Sequence, residues 1–210
     1  MNILEQIAAE RRADIRALMD TADRTGLDRL AHARVPRSLR ERLARAGAGS
    51  PAVIAETKKA SPSAGLLRAD YDPAATAIEY EAAGAAAISV LTEPRHFRGR
   101  GEDVAAVRRA VKLPVLCKDF LVDPFQVMLA AAWGADLILL IAALLTDAEM
   151  KDLAARAGDY GLEILCEAHT AEEVDRCLAV EGAIIGVNSR DLKTLRTDLG
   201  VARELADRIT

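Results

Sequence analysis

Apolar positions recur along this chain with two alternating periods. Residues 2–20 place Ile3, Ile7, Ile15, Leu18 and Met19 at helical spacing with charges between them, which predicts an amphipathic helix. A second short helix is predicted at 38–46, because Ser38 and Glu41 form a capping-box pattern after Pro36. From residue 53 the pattern repeats. Runs rich in β-branched residues begin near Val53, Ala86, Pro114, Asp136, Leu162 and Ala183. Between them lie amphipathic stretches with explicit start signals. Asp72-Pro73 and Asp123-Pro124 each set a capping carboxylate before a proline at the first helical position, and Thr146 with Glu149 and Thr170 with Glu173 are further capping boxes. Gly84, Gly134 and Gly161 fall just past the predicted helix ends, where a left-handed residue is wanted.

Strands buried on both faces and alternating with helices predict a parallel sheet. Six such units follow a helical extension over residues 1–50, with residues 51–210 forming the α/β portion of what reads as a single domain. A doubly wound sheet is the competitor. No Gly-x-Gly-x-x-Gly follows any strand, and polar residues end nearly every strand instead of gathering at one switch point. That distribution favours a β/α (TIM) barrel. A complete barrel has eight units in about 250 residues, so an incomplete barrel of about six units is expected.

Composition narrows the function. Half the residues are apolar but only 3% are aromatic, so the core must be mainly aliphatic. A net charge of -4 argues against nucleic acid as a partner, since phosphate binders carry a basic face. Arg11, Arg12, Arg16, Arg24 and Arg29 do crowd the N-terminal segment, but acids and alanines are interleaved with them, and a solvated helix face is expected there. Cys117, Cys166 and Cys177 show no ligand spacing, which suits a reducing compartment and no metal site. The longest apolar run, Leu137 to Leu145, is too short to span a bilayer, and the first residues read as helix, not signal peptide. The expected location is cytoplasmic, with no membrane partner.

The chemistry gathers at predicted strand ends. In Val53-Ile-Ala-Glu-Thr-Lys-Lys-Ala-Ser-Pro-Ser-Ala-Gly65, Glu56 and Lys58 are two apart and share a face. Ser89 and Thr92, then Lys118, then Glu167, then Asn188 and Arg190 end the later strands; only the strand from Asp136 to Ile141 ends without a polar group. In a barrel these ends converge on one mouth, where enzymes of this architecture keep their catalytic groups. Two lysines, two glutamates, an asparagine and an arginine suit acid–base work on a phosphorylated, carbonyl-bearing anion. Plainer roles compete: a structural Glu56–Lys58 pair, a local Lys118–Asp119 pair, a strand-end backbone contact for Glu167, and a loop pair between Arg190 and Asp191. His32, His96 and His169 are dispersed and the chemistry does not call for them. Trp133, at the end of an amphipathic stretch, reads as packing.

Five blocks in order resemble the indole-3-glycerol phosphate synthase family of tryptophan biosynthesis. They are Ile54-Ala-Glu-Thr-Lys-Lys-Ala-Ser-Pro-Ser63, Ser89-Val-Leu-Thr-Glu93 with Phe97-Arg-Gly99, Pro114-Val-Leu-Cys-Lys-Asp-Phe120, Leu165-Cys-Glu-Ala-His169 and Gly186-Val-Asn-Ser-Arg-Asp-Leu192. The resemblance implies a carbon–carbon lyase that decarboxylates and cyclises 1-(2-carboxyphenylamino)-1-deoxyribulose 5-phosphate, with no metal or organic cofactor. It implies Lys118 as general acid, Glu167 and Lys58 as the pair for the later dehydration, and Glu56 and Asn188 as orienting groups. Ser61, Ser89 and Arg190 become substrate contacts, with Phe97, Phe120, Leu139 and Ile141 as an apolar seat for the aromatic ring. The family's seventh and eighth strands are not found within the 210 residues. A chain of six units is therefore expected to keep the proton-transfer groups without most of the phosphate grip, and to have negligible activity alone. The complete family is expected to be monomeric, with self-association through open barrel edges, or completion by a partner chain, as the expectation for six units. A phosphoribosylanthranilate isomerase is the alternative enzyme. It is disfavoured because Cys117, which would have to serve as its acid–base cysteine, is expected by alternation to face outward.

Overall fold

Three helices precede the sheet: α1 (Ile3–Thr21), α2 (Arg24–His32) and α3 (Leu39–Ala46). The computed structural model describes residues 2–46, 51–190 and 196–209. A reciprocal capping box between Asn2 and Glu5 starts α1. Helix α2 was not predicted from the sequence. Its nine residues carry only a few apolar positions and a glycine in the first turn, so local propensity is weak. It is held by an Asp23 cap on the Gly26 N–H and by lying along a later helix, where Ala31 is buried. At the start of α3, Ser38 Oγ accepts the Glu41 N–H as predicted, but Glu41 pairs with Arg45, so only half of the box is made.

The repeating portion then runs β1 (Ile54–Thr57), a small hairpin of β2 (Ala60–Ser61) and β3 (Gly65–Leu66), α4 (Pro73–Ala82), β4 (Ala87–Leu91), α5 (Gly101–Ala110), β5 (Val115–Lys118), α6 (Pro124–Trp133), β6 (Leu137–Ile141), α7 (Asp147–Asp159), β7 (Glu163–Ala168), α8 (Ala171–Leu178), β8 (Ile184–Val187) and α9 (Gly200–Ala206). The six long strands pair in parallel in the order β1-β4-β5-β6-β7-β8 and form a half-barrel. The helix signals work as expected. Asp72 and Asp123 cap α4 and α6 ahead of their prolines, Thr146 and Glu149 close a full box, and Gly134 ends α6 at φ 95°. Thr170 accepts the Glu173 N–H, but the Glu173 carboxylate reaches one residue further back, to the His169 N–H.

Alternation along each strand sorts the core into two layers. Ile88, Val90, Val115, Cys117, Ile138, Leu140, Ile164 and Cys166 point outward and meet helix residues such as Val107, Val127, Leu153 and Val174. Ala87, Leu116, Leu137, Leu139 and Ile141 point inward and meet Leu39 of α3. Helix α3 thus closes the floor of the half-barrel. Glu163, at the start of β7, holds it there by accepting from Ser38 Oγ (2.5 Å) and the Leu39 N–H (2.8 Å). Trp133 is packing, as expected: a Cβ on Gly101 would fall 2.1 Å from its indole ring.

The arginine-rich start of the chain corrects one expectation. Arg11 is 6% exposed and pairs bidentately with Asp119 (2.8 and 2.5 Å), while Arg12 reaches the Val122 carbonyl and Glu149. These side chains dock α1 onto the ends of β5 and α7, because a buried carboxylate and an open carbonyl there need donors. No described helix is long and apolar enough to cross a membrane. Among the described residues no group of three or more His, Cys, Asp or Glu could hold a metal ion.

Candidate active site

Glu56 and Lys58 leave β1 on the inward face, as their two-residue spacing requires. Lys58 Nζ lies 2.5 Å from Glu56 Oε1, and Lys118 Nζ, at the end of β5, lies 3.5 Å from Glu56 Oε2. One carboxylate therefore bridges two ammonium groups, and all three side chains remain partly open. Across the mouth, Asn188 Nδ2 donates to Glu167 Oε1 at 2.9 Å, and Asn188 Oδ1 accepts the Arg190 N–H at 2.9 Å. These groups border a cavity of about 430 Å³. Ser61, Phe97, Phe120, Leu139, Ile141 and Arg190 border it too, so the structure brings together every predicted site residue except one.

The exception is Ser89. It is the register partner of Glu56, on the inward face, yet it does not border the cavity. A glutamate reaches the mouth from that level and a serine does not; Leu91, one pleat higher, forms the wall instead. The buried Ser89 Oγ has no hydrogen-bond partner among the described residues.

The plainer roles resolve differently. Asp119 does not pair with its neighbour Lys118. Besides both Arg11 nitrogens, its carboxylate accepts from Thr92 Oγ1 (3.0 Å) and the Phe120 N–H (2.8 Å), which leaves Lys118 to Glu56. Glu167 meets a side-chain amide at its strand end. Asp191 and Leu192, the last residues of the fifth block, lie outside the described residues. His96 Nε2 lies 2.7 Å from Glu10, His169 Nδ1 2.6 Å from the Asn188 carbonyl, and His32 stands beside Asp28; none borders the cavity.

Sequence reasoning missed one wall. Ile3, Leu4 and Ile7 of α1 border the cavity, as do Pro62, Ala64 and Leu67 around the β2–β3 hairpin. The Ile3–Ile7 stripe was visible as helical spacing, but nothing local says what such a stripe covers. Cys117 lies in the outer layer beneath this site. Burial pushes its thiol up to about 12, so it is a poor proton carrier and faces away from the mouth.

A parallel half-barrel with ammonium and carboxylate groups at the C-terminal ends of its strands defines a β/α-barrel protein with a mouth suited to proton transfer. A crystal structure of a complete multifunctional pyruvate carboxylase from Rhizobium etli matches 80% of this chain and 19% of that one, at TM-score 0.50 and 19% identity, a likeness of fold alone. The sequence profile of indole-3-glycerol phosphate synthase matches residues 4–210. The chain belongs to the indole-3-glycerol phosphate synthase family. The synthase of Rhodospirillum rubrum is 47% identical over 210 residues, covering 98% of this chain and 79% of that protein. That of Koribacter versatilis is 44% identical over 196 residues, covering 93% and 75%.

Proposed function

We propose that this chain carries the chemistry of an indole-3-glycerol phosphate synthase: ring closure of 1-(2-carboxyphenylamino)-1-deoxyribulose 5-phosphate with loss of CO2 and water. The apolar face of the cavity, formed by Phe97, Phe120, Leu139 and Ile141, seats the aromatic ring, and Arg190 and Ser61 meet the polar end of the substrate. Lys118 donates a proton to the ketone oxygen as the ring carbon attacks, so no full alkoxide forms. The attack leaves an iminium in the ring system, and the electron pair of the carboxylate bond flows into it as CO2 departs. Dehydration then needs an acid for the departing hydroxyl and a base for a ring-side proton, which Lys58 and Glu167 supply between them. Glu56 and Asn188 hold these groups in place. Protons are all that the protein moves, so the reading calls for no metal or organic cofactor.

The observation that supports this reading is the division of the mouth. Glu56 gathers both lysines on one side, and Glu167, held by Asn188, stands with the other strand ends, with an apolar floor between. The isomerase alternative loses ground for the opposite reason, since its cysteine would have to act from the outer layer. The test compares two forms of the same chain. In single-turnover conversion of the substrate, followed by indole absorbance and CO2 release, Lys118→Ala is expected to slow the reaction by at least about 100-fold, the scale of a lost general acid. Turnover by six units alone is expected to be negligible, so the comparison is made with protein in large excess over substrate. A measurable parent rate that Lys118→Ala keeps, or a cyclised product that keeps its carboxylate, would overturn the proposal.

A further inference from the structure

Glu93 follows the end of β4 and is 1% exposed, yet it does not border the cavity at the mouth. It has no arginine or lysine in salt-bridge contact among the described residues. Its partners are the backbone of its own loop. Glu93 Oε1 accepts the Arg95 N–H at 2.9 Å, and Oε2 accepts the His96 N–H at 2.7 Å and the Phe97 N–H at 2.9 Å. The Glu93 carbonyl accepts the Gly99 N–H at 2.9 Å. The loop is thus wound around one side chain. Its return is tight: Arg98 sits at φ 55°, and a Cβ on Gly99 would fall 2.1 Å from the Leu91 carbonyl oxygen. A glutamate rarely enters a core without partners, and three peptide N–H groups aimed at one carboxylate form charge-assisted bonds that a neutral side chain cannot all replace.

This arrangement ends on Phe97, whose ring borders the cavity and stands 6.1 Å from that of Phe120 at 37°. We propose that Glu93 is a positioning residue for the aromatic half of the substrate: it binds the Phe97 N–H and thereby sets where the Phe97 ring meets a bound ring. The inference rests on the proposed function, because it takes the apolar face as the seat of an aromatic group. It adds a residue that never touches the ligand. The outer side of the same loop is fixed independently, by Arg95 to Asp14 and His96 to Glu10 on α1, so loss of Glu93 releases the inner side first.

Two readouts test this on the whole chain. The protein has three phenylalanines, Phe97, Phe120 and Phe125, so uniform fluorophenylalanine labelling yields three fluorine resonances, and Phe97→Leu assigns the first. In Glu93→Gln the Phe97 resonance is expected to shift and broaden while that of Phe125 stays in place. The second readout is titration with the substrate analogue in which the ketone is reduced to an alcohol, which cannot cyclise and whose aromatic amine fluoresces. Phe97→Leu and Glu93→Gln are each expected to weaken binding roughly tenfold, and the double variant no more than Phe97→Leu alone, because residues acting through one another do not add. An unchanged Phe97 resonance in Glu93→Gln, or losses that multiply in the double variant, overturns the inference. Should Glu93→Gln not fold, Glu93→Asp, which keeps the charge but shortens the reach, is expected to show the same changes at lower amplitude. A parent chain that does not bind the analogue overturns the proposed function instead, and the fluorine result still decides for Glu93.

Discussion

Two carboxylates sit among cations at opposite ends of the strands, and they are built differently. Asp136, just before β6, is fully buried. Its Oδ1 accepts from Arg34 Nη1 (3.0 Å) and the Arg37 N–H (2.8 Å), and its Oδ2 from Arg108 Nη1 (2.9 Å) and the Val115 N–H (3.0 Å). Glu56, at the mouth, keeps 28% of its side chain exposed and holds two ammonium groups, one close and one at 3.5 Å. The first carboxylate is saturated: each Asp136 oxygen accepts twice, and the arginine partners also bind backbone carbonyls such as Tyr160 and Val111, while Arg34 Nε is left without a partner among the described residues. The second has open positions facing a cavity. A saturated carboxylate ties the extension to the barrel floor, whereas an unsaturated one can exchange protons with a ligand. Charge pairs of similar composition thus divide into stability and chemistry by how much of their bonding capacity is left over.

The comparison breaks most sharply at Asp136. Asp136→Asn leaves arginines without their counter-charge in a buried setting, and urea unfolding should show a loss of about 3–5 kcal/mol. Any folded fraction should keep the parent's rate per molecule; a stability loss below about 1 kcal/mol would mean that the cluster is not the tie it resembles. Glu56→Gln should show the reverse. Pairs this exposed contribute about 0–1 kcal/mol, so stability should barely move. Conversion of the substrate should fall by about 100-fold, because both lysines lose their shared anchor. A large stability loss with a small rate loss would make Glu56 a structural plug.

The smallest effect concerns pH. The Glu149 carboxyl is held below the ordinary glutamate range, chiefly by the Thr146 backbone N–H it accepts. A group whose pKa is lower in the folded state stabilises the fold above its unfolded pKa, and that contribution is lost as pH falls through the folded value. Melting temperature followed down from about pH 6 should therefore drop through the acid range, and Glu149→Gln should make that drop slightly shallower. A steeper drop in the variant would assign the effect to another carboxylate.

Much of this architecture was legible in the chain. The six runs beginning near Val53, Ala86, Pro114, Asp136, Leu162 and Ala183 all became strands of one parallel sheet, because burial on both faces leaves a signal that needs no partner to be read. Asp72-Pro73, Asp123-Pro124 and Thr146 with Glu149 worked as caps because capping is settled within four residues. Helix α2 and the β2–β3 hairpin were not legible, being short and held by what they dock on. The arginine face of α1 was misread for the same reason. Arg11 looks like a solvated residue until Asp119, 108 positions away, is placed against it.

The site shows the same division. Alternation put Glu56 and Lys58 on one face, since a strand offers only two sides, and strand-end position brought Lys118, Glu167 and Asn188 to the same mouth. Strand-end position therefore sufficed to place these charged and polar groups at one mouth, and alternation to turn Cys117 outward; the separate roles expected of them came from the family resemblance alone. Only the tertiary structure decided the pairings: that Glu56 bridges both lysines, that Asp119 turns to Arg11, that Ser89 falls one level short, and that Ile3, Leu4 and Ile7 close a wall. Periodicity is a local property, fixed by backbone geometry within a few residues. Which distant groups share a cavity depends on how the sheet curls and where the extension lies, and those follow from packing across the whole chain.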